Sequence, residues 1–303
     1  MNNISIDPDF FSKVEQVHNF VIYGDTDSLY LKIPEKIDDI QKAVESSNRI
    51  SNEINSIIKT FMDNYYLPRS GIDPKYNFTE FKTELVCDAI LLLDIKKNYA
   101  YRILAKEGNI FKQPKVKYTG IPIVRTDYSQ FTKDMIKHVI EEIAFKNATL
   151  ENIVSYLKRC YDDLERLVKE MDFLYIGIPT KWGIRDYKKD TTQILAMKLY
   201  NTLVNKDIFK PLVSGRRLPI NIKDQNKLLD ILYSNRKKHA LFLSEFDISK
   251  LTFICFPLTE TSENAKEILS NSGIEVDIDK LWNILYSKVC KRVFEVIKNN
   301  TNQ

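Results

Sequence analysis

The apolar positions along the chain change period several times, and each change marks an element. Residues 20–33 read Phe-Val-Ile-Tyr-Gly-Asp-Thr-Asp-Ser-Leu-Tyr-Leu-Lys-Ile. An apolar run meets a short polar turn, after which Leu29, Leu31 and Ile33 alternate with Tyr30 and Lys32. This predicts a β-hairpin with acidic residues at its tip. Over 36–66, Ile37, Ile40, Val44, Ile50, Ile54, Ile58 and Phe61 recur at helical spacing, predicting one long amphipathic helix or two shorter ones. From about Glu80 to Phe111 the period falls to two. Phe81, Thr83, Leu85 and Cys87 alternate with Glu80, Lys82 and Glu84; an apolar run at Ala89–Leu93 and then Tyr99, Tyr101 and Ile103 follow. Glu107-Gly108-Asn109 supplies the turn between the last two strands, and a basic extended segment runs from Lys115 to Gly120.

Beyond that point the pattern is predominantly helical. Phe131, Met135, Val139 and Ile143 recur every four residues, a second helix covers about Leu150–Lys169, and further helices are predicted near 190–205, 226–234 and 278–298. A strand-rich first part followed by a helix-rich second part predicts an α+β protein, with an antiparallel sheet and packed helices in 1–128 and a mostly helical domain in 129–303.

Composition narrows the chemistry without naming it. The 303 residues are 44% hydrophobic and 28% charged, with a net charge of +4, as in ordinary globular proteins. Basic residues cluster at Lys112, Lys115 and Lys117, at Lys188 and Lys189, at Arg216 and Arg217, and at Arg236, Lys237 and Lys238. Such runs either track a phosphate backbone or form solvated surface. The cysteines (Cys87, Cys160, Cys255, Cys290) form no C-x-x-C pair, and with His18, His138 and His239 they offer no zinc or iron–sulfur spacing. No run approaches the ~20 apolar residues of a membrane span. The Met-Asn-Asn-Ile-Ser start lacks signal-peptide features, so a reduced, cytoplasmic location is expected.

Asp25 and Asp27 stand one residue apart on the predicted turn, so their carboxylates can converge on one locus. Mg²⁺ takes oxygen ligands, usually one or two carboxylates plus substrate phosphates. A pair of such ions can activate a hydroxyl and stabilise a leaving oxygen. A bare D-x-D is equally a polar turn whose aspartates satisfy backbone donors. An EF-hand fails, because Leu29 and Tyr30 stand where an acidic or amide ligand and a glycine are required. A haloacid-dehalogenase-type phosphatase also begins with an apolar strand and D-x-D, but it requires a parallel α/β sheet. The chain, with eight glycines, reads as antiparallel.

Tyr23-Gly24-Asp25-Thr26-Asp27-Ser28 matches at every position the palm-domain C motif of family B DNA polymerases. Two further resemblances follow in that family's order. Thr83 to Ala100, with Thr-Glu-Leu, an apolar stretch and Lys96-Lys97-Asn98-Tyr99-Ala100, resembles the glutamate strand and the K-K-x-Y motif. Lys117-Tyr118-Thr119-Gly120, continuing to Val124-Arg125-Thr126-Asp127, resembles the segment that closes the palm and leads into the thumb.

The resemblance implies that 1–128 is the C-terminal part of a polymerase palm and 129–303 a thumb. It implies that Asp27 is a catalytic metal ligand, with Asp25 beside it, and that Glu84 is a further candidate for the metal or its water. Lys96, Lys97 and Tyr99, with Lys117, Gly120 and Arg125, would touch primer–template DNA. Asn98 stands where the family often has a basic residue. The cofactor implied is a pair of Mg²⁺ ions and the small substrate a dNTP. The family's other metal-binding aspartate lies in D-x-x-S-L-Y-P and its nucleotide grip in K-x-x-x-N-S-x-Y-G; neither occurs here, nor do the exonuclease motifs. An N-terminal polymerase polypeptide carrying the exonuclease, fingers and remaining palm is therefore the expected partner, as in a split polymerase of bacteriophage type. A non-catalytic DNA-binding palm and thumb module, or a truncated relic, is the alternative, and a D-x-D phosphatase the third reading.

Overall fold

A computed structural model describes residues 20–25, 28–33, 36–146, 149–179, 191–203, 215–219, 222–234, 251, 253–257, 268–270, 275–287 and 290–301. The chain divides into two compact units, Met1–Ile90 with Tyr101–Lys117, and Leu91–Ala100 with Tyr118–Gln303. The architecture is α+β, as the hydrophobic pattern predicts, and the sheets are antiparallel.

In the first unit the expected hairpin forms from β1 (Val21–Asp25) and β2 (Ser28–Leu31). Tyr23 pairs with Tyr30, Gly24 with Leu29 and Asp25 with Ser28, with a register irregularity between Val21 and Tyr23. Helix α1 (Ile40–Phe61) starts at Asp39, whose carboxylate accepts the Lys42 N–H at 3.0 Å. That bond satisfies one of the helix's orphan donors. Instead of ending, the helix widens into a π-helical turn at Met62–Tyr66. Its inward residues Ala43 and Val44 join Val86 and Ala105 in a small core against which Ile33 and Ile37 pack.

Three strands follow in sheet order: β3 (Leu85–Leu92), β4 (Tyr99–Lys106) and β5 (Asn109–Thr119). Glu107 and Gly108, both at positive φ, turn β4 into β5 as the sequence predicts. The period-2 run at 80–84 does not extend the ladder. The strand begins at Leu85, and the preceding backbone pairs with side chains of α1 instead. Asn55 accepts the Phe81 N–H at 2.6 Å, Asn55 and Ser51 donate to the Phe81 carbonyl at 2.7 and 2.8 Å, and Thr83 donates to the Ser47 carbonyl at 3.2 Å. Buried main-chain groups require partners, and here a helix face supplies them.

The second unit holds α2 (Gln130–His138), α3 (Leu150–Glu170), α4 (Phe173–Ile176), β6 (Ile178–Pro179), α5 (Thr192–Leu203), β7 (Gly215–Pro219), α6 (Ile222–Ser234), β8 (Phe253–Pro257), α7 (Ile278–Trp282) and α8 (Cys290–Thr301). α3 opens on a capping box between Thr149 and Asn152 and closes on Met171 in the left-handed region. The predominantly helical reading needs one correction: β6, β7 and β8 form an antiparallel sheet with β7 in the middle. Phe256 of β8 stacks on Phe173 (5.3 Å between centroids) and meets Tyr200 edge-on, and all three side chains are fully buried. The helix expected over 278–298 is also interrupted, passing through a π-helical turn at Asn283–Ser287. All four cysteines are free thiols. Among the described residues no helix is long and apolar enough to cross a membrane.

Candidate functional site

The acidic hairpin is set in place by aromatic rings. Alternate residues of a strand share a face, so Asp25 and Tyr23 point to one side of β1. Tyr30 lies opposite Tyr23, with ring centroids 5.7 Å apart, and meets Tyr101 of β4 edge-on at 6.1 Å. Tyr101 is 2% exposed, which makes it a fixed anchor. The Nζ of Lys117 lies 6.0 Å from the same ring. A row of three tyrosines thus runs from the strand that ends in Asp25 to the basic face of β5.

Asp25 is half-buried at the end of β1, and the Ser28 hydroxyl donates to its carbonyl oxygen at 3.1 Å. Asp27, the foremost predicted metal ligand, lies outside the described residues. Among the described residues no group of three or more His, Cys, Asp or Glu side chains is gathered as a complete metal site would need. The donor chemistry of the hairpin suits Mg²⁺ in part, since that ion needs only one or two carboxylates from a protein when substrate phosphates complete its shell.

Glu84 is placed elsewhere. It is exposed at the foot of β3, where its carbonyl accepts the Glu107 N–H at 2.8 Å. Glu107 is six residues along the chain from Tyr101, about 20 Å at strand rise. Tyr30 leans on Tyr101, and Ile33 and Ile37 pack nearer that foot, against the Val86 and Ala105 core. The hairpin therefore directs Asp25 away from Glu84.

The predicted DNA-contacting residues fall into two groups. Lys96 and Lys97 are exposed and occupy the turn joining β3 to β4. Lys97 has φ +62°, in the left-handed region. Leu93 donates to the Asn98 carbonyl at 3.0 Å and the Asn98 N–H to Ile95 at 3.1 Å, closing the loop. Tyr99, half-buried, begins β4 directly after it. Gly120, at φ +65°, lies against this turn. The β3–β4 turn and the end of β5 are thus brought together although more than twenty residues separate them.

Further along, Arg125 is held by its own chain. Its guanidinium donates to both carboxylate oxygens of Asp127 at 3.0 and 2.9 Å and lies 5.4 Å from the Tyr128 ring centroid. The Asp127 carboxylate raises its already high pKa, so the group is a fixed but locally balanced cation. Between these groups the Tyr118 hydroxyl donates to Glu141 in the π-helical turn Val139–Ile143. Burial, reinforced by that carboxylate, pushes the Tyr118 phenol far above its usual range. Tyr30 and Tyr101 were not candidates from sequence. Their only signal was the alternation that placed each on a strand, and no local pattern links them.

Comparison with known proteins gives this arrangement a family. The sequence matches DNA polymerase family B over residues 3–297. It is 26% identical over 225 residues to the DNA polymerase of Trichoplusia ni ascovirus 2c, covering 69% of this chain and 19% of that protein. It is 26% identical over 301 residues to the DNA polymerase of Paramecium bursaria Chlorella virus NY2A, covering 93% of this chain and 30% of that protein. To the DNA polymerase zeta catalytic subunit of Schizosaccharomyces pombe it is 24% identical over 221 residues, covering 71% of this chain and 13% of that protein. The chain belongs to DNA polymerase family B. It spans less than a third of the length of these relatives.

Proposed function

We propose that the chain supplies the C-terminal palm (1–128) and the thumb (129–303) of a DNA-directed DNA polymerase, in which a primer 3′-hydroxyl attacks the α-phosphate of a dNTP. Family membership over residues 3–297, together with the Tyr23–Ser28 hairpin seated on Tyr101, is the observation that carries this reading. Asp27 and Asp25 are the protein ligands offered from this chain. Mg²⁺ held there supplies hydroxyl activation and charge stabilisation at the leaving oxygen. The row of tyrosines seats the strand that ends in Asp25, and close positioning of its ligands is what such a site requires. Glu84, directed to the other end of the sheet, has no part in this reading.

Lys96 and Lys97 on their turn, Tyr99 behind them and Lys117 on β5 grip the primer–template backbone through charge and a flat ring. Arg125 joins them by sharing its guanidinium between Asp127 and phosphate. The other metal-binding aspartate, the fingers and the exonuclease come from outside these 303 residues, on an N-terminal polymerase polypeptide that completes the site. The phosphatase reading requires a parallel sheet, whereas every described sheet is antiparallel.

Primer extension tests the proposal. The purified chain should incorporate no dNTP alone and should gain template-directed incorporation when mixed with the polypeptide carrying the fingers and remaining palm. Robust incorporation by the chain alone would remove the need for that partner. Duplex binding with no incorporation in the mixture would leave a non-catalytic palm and thumb module.

A further inference from the structure

Gly120 meets the lysine turn backbone to backbone. A Cβ added at Gly120 would fall well inside van der Waals distance of the Lys97 carbonyl oxygen and 3.1 Å from both Cγ and Oδ1 of Asn98. The residue sits at φ +65°, where an L side chain is strained whatever the space around it. Within the same turn, the Asn98 side-chain amide donates to the Lys96 carbonyl at 3.1 Å, and the Asn98 N–H donates to the Ile95 carbonyl at 3.1 Å. Lys97 is itself at φ +62°, a conformation that a lysine keeps only when its surroundings enforce it.

We propose that Gly120 and Asn98 are positioning residues, a clasp that fixes the direction in which Lys96 and Lys97 present their ammonium groups to the primer–template backbone. This rests on the reading that the lysine pair grips DNA. It reassigns Gly120 from touching DNA to shaping what does, and it gives Asn98 a task that the basic residue common at that position would not perform. A side chain at 120 would push the Lys97 carbonyl away and swing the turn. Losing the Asn98 amide would remove the turn's side-chain tie to the Lys96 carbonyl.

The test is a cycle of variants in the full chain: Gly120→Ala, Asn98→Ala, Lys96→Ala/Lys97→Ala, and Gly120→Ala combined with the lysine pair. Amide hydrogen exchange across 93–98 is read beside primer–template affinity at 50 and 200 mM salt. Each lost phosphate contact removes about 0.9 from the log–log salt slope. Between those salts the wild type should therefore lose about 12-fold more affinity than the double lysine variant, if both lysines contact phosphate. Gly120→Ala and Asn98→Ala should speed exchange of the Asn98 amide and flatten the salt slope toward that of the double lysine variant. Adding Gly120→Ala to the lysine changes should cost no further affinity. An additive loss in that background would show that Gly120 acts on DNA directly and would overturn the clasp, as would unchanged exchange in both single variants. If the lysine changes leave affinity and slope as in wild type, the grip itself fails. That outcome is separate from the others, because exchange at 93–98 still reports whether the turn moved. Asn98→Ala keeps the proposal open to refutation if Gly120→Ala does not fold.

Discussion

Tyr30 is the joint of the acidic hairpin, and replacing it by leucine should loosen the hairpin without touching a carboxylate. The substitution removes two ring contacts, to Tyr23 at 5.7 Å and to Tyr101 at 6.1 Å, while keeping much of the apolar volume. Aromatic pairs of this kind contribute about 0.5–1.5 kcal/mol each beyond their area, so the hairpin should lose about 1–3 kcal/mol of local stability. At tenfold per 1.4 kcal/mol, the protected amides of residues 21–31 should exchange about 5- to 150-fold faster. Tyr30→Phe keeps both rings and serves as the control, with exchange much closer to wild type. The assay is hydrogen exchange read by mass spectrometry on the two variants side by side. In the assembled polymerase, Tyr30→Leu should also lower the incorporation rate more than Tyr30→Phe. If the leucine variant exchanges at the rate of the phenylalanine variant, the rings do not hold the hairpin and the positioning argument is wrong.

Asp127→Asn should weaken the hold on Arg125, freeing its charge for phosphate; primer–template affinity should rise and the salt slope steepen by up to about 0.9, and no change in either would take Arg125 out of the interface. Ser129 is fully buried and its Oγ accepts the Thr132 N–H at 3.1 Å at the start of α2, so Ser129→Ala should cost about 1–2 kcal/mol in denaturant melts, and a loss within error of zero would deny the cap. The second unit should also be sensitive to alkali. Burial pushes up the phenols of Tyr118, Tyr156 and Tyr175, and the Asp279 acceptor pushes Tyr161 up to about 12. Their folded values lie above an unfolded value of 10.0, so this stabilisation is complete below pH 10 and is lost as pH rises beyond it. Melting temperature should fall above pH 10, and Tyr118→Phe should make that fall shallower; an identical profile would contradict the assignment.

What the sequence revealed here follows from how local each signal is. The Tyr23–Ser28 hairpin was legible because alternation, an apolar run and a polar pair coincide within a few residues. α3 was legible because its apolar positions recur unbroken and Thr149 caps it. The strand expected from Glu80 starts later because Asn55 and Ser51, on a helix far back in the chain, capture the Phe81 backbone. The Lys96–Lys97 turn carries no turn signal in the sequence because neither Gly nor Pro marks it, and the glycine that lies against it, Gly120, is far along the chain. The β6–β8 sheet was missed for a related reason. β6 has two residues, β7 carries Arg216 and Arg217 without apolar alternation, and the apolar run of β8 is indistinguishable by period from a buried helix. The tyrosine row was beyond reach, since each ring is an ordinary strand residue until the fold brings them together.

The central claim is that the Tyr23–Ser28 hairpin supplies the metal-binding carboxylates of a nucleotidyl transfer site. Single-turnover dNTP incorporation at saturating primer–template, by the polymerase assembled with the proposed N-terminal polypeptide, measures this directly when Asp27 is replaced by asparagine. Loss of an outer-shell partner of a metal ligand already costs about 10- to 100-fold, so loss of the ligand itself should slow incorporation by more than about a hundredfold. Primer–template affinity should change little, because the lysine turn and β5 are untouched. Incorporation by Asp27→Asn at the wild-type rate would contradict the account.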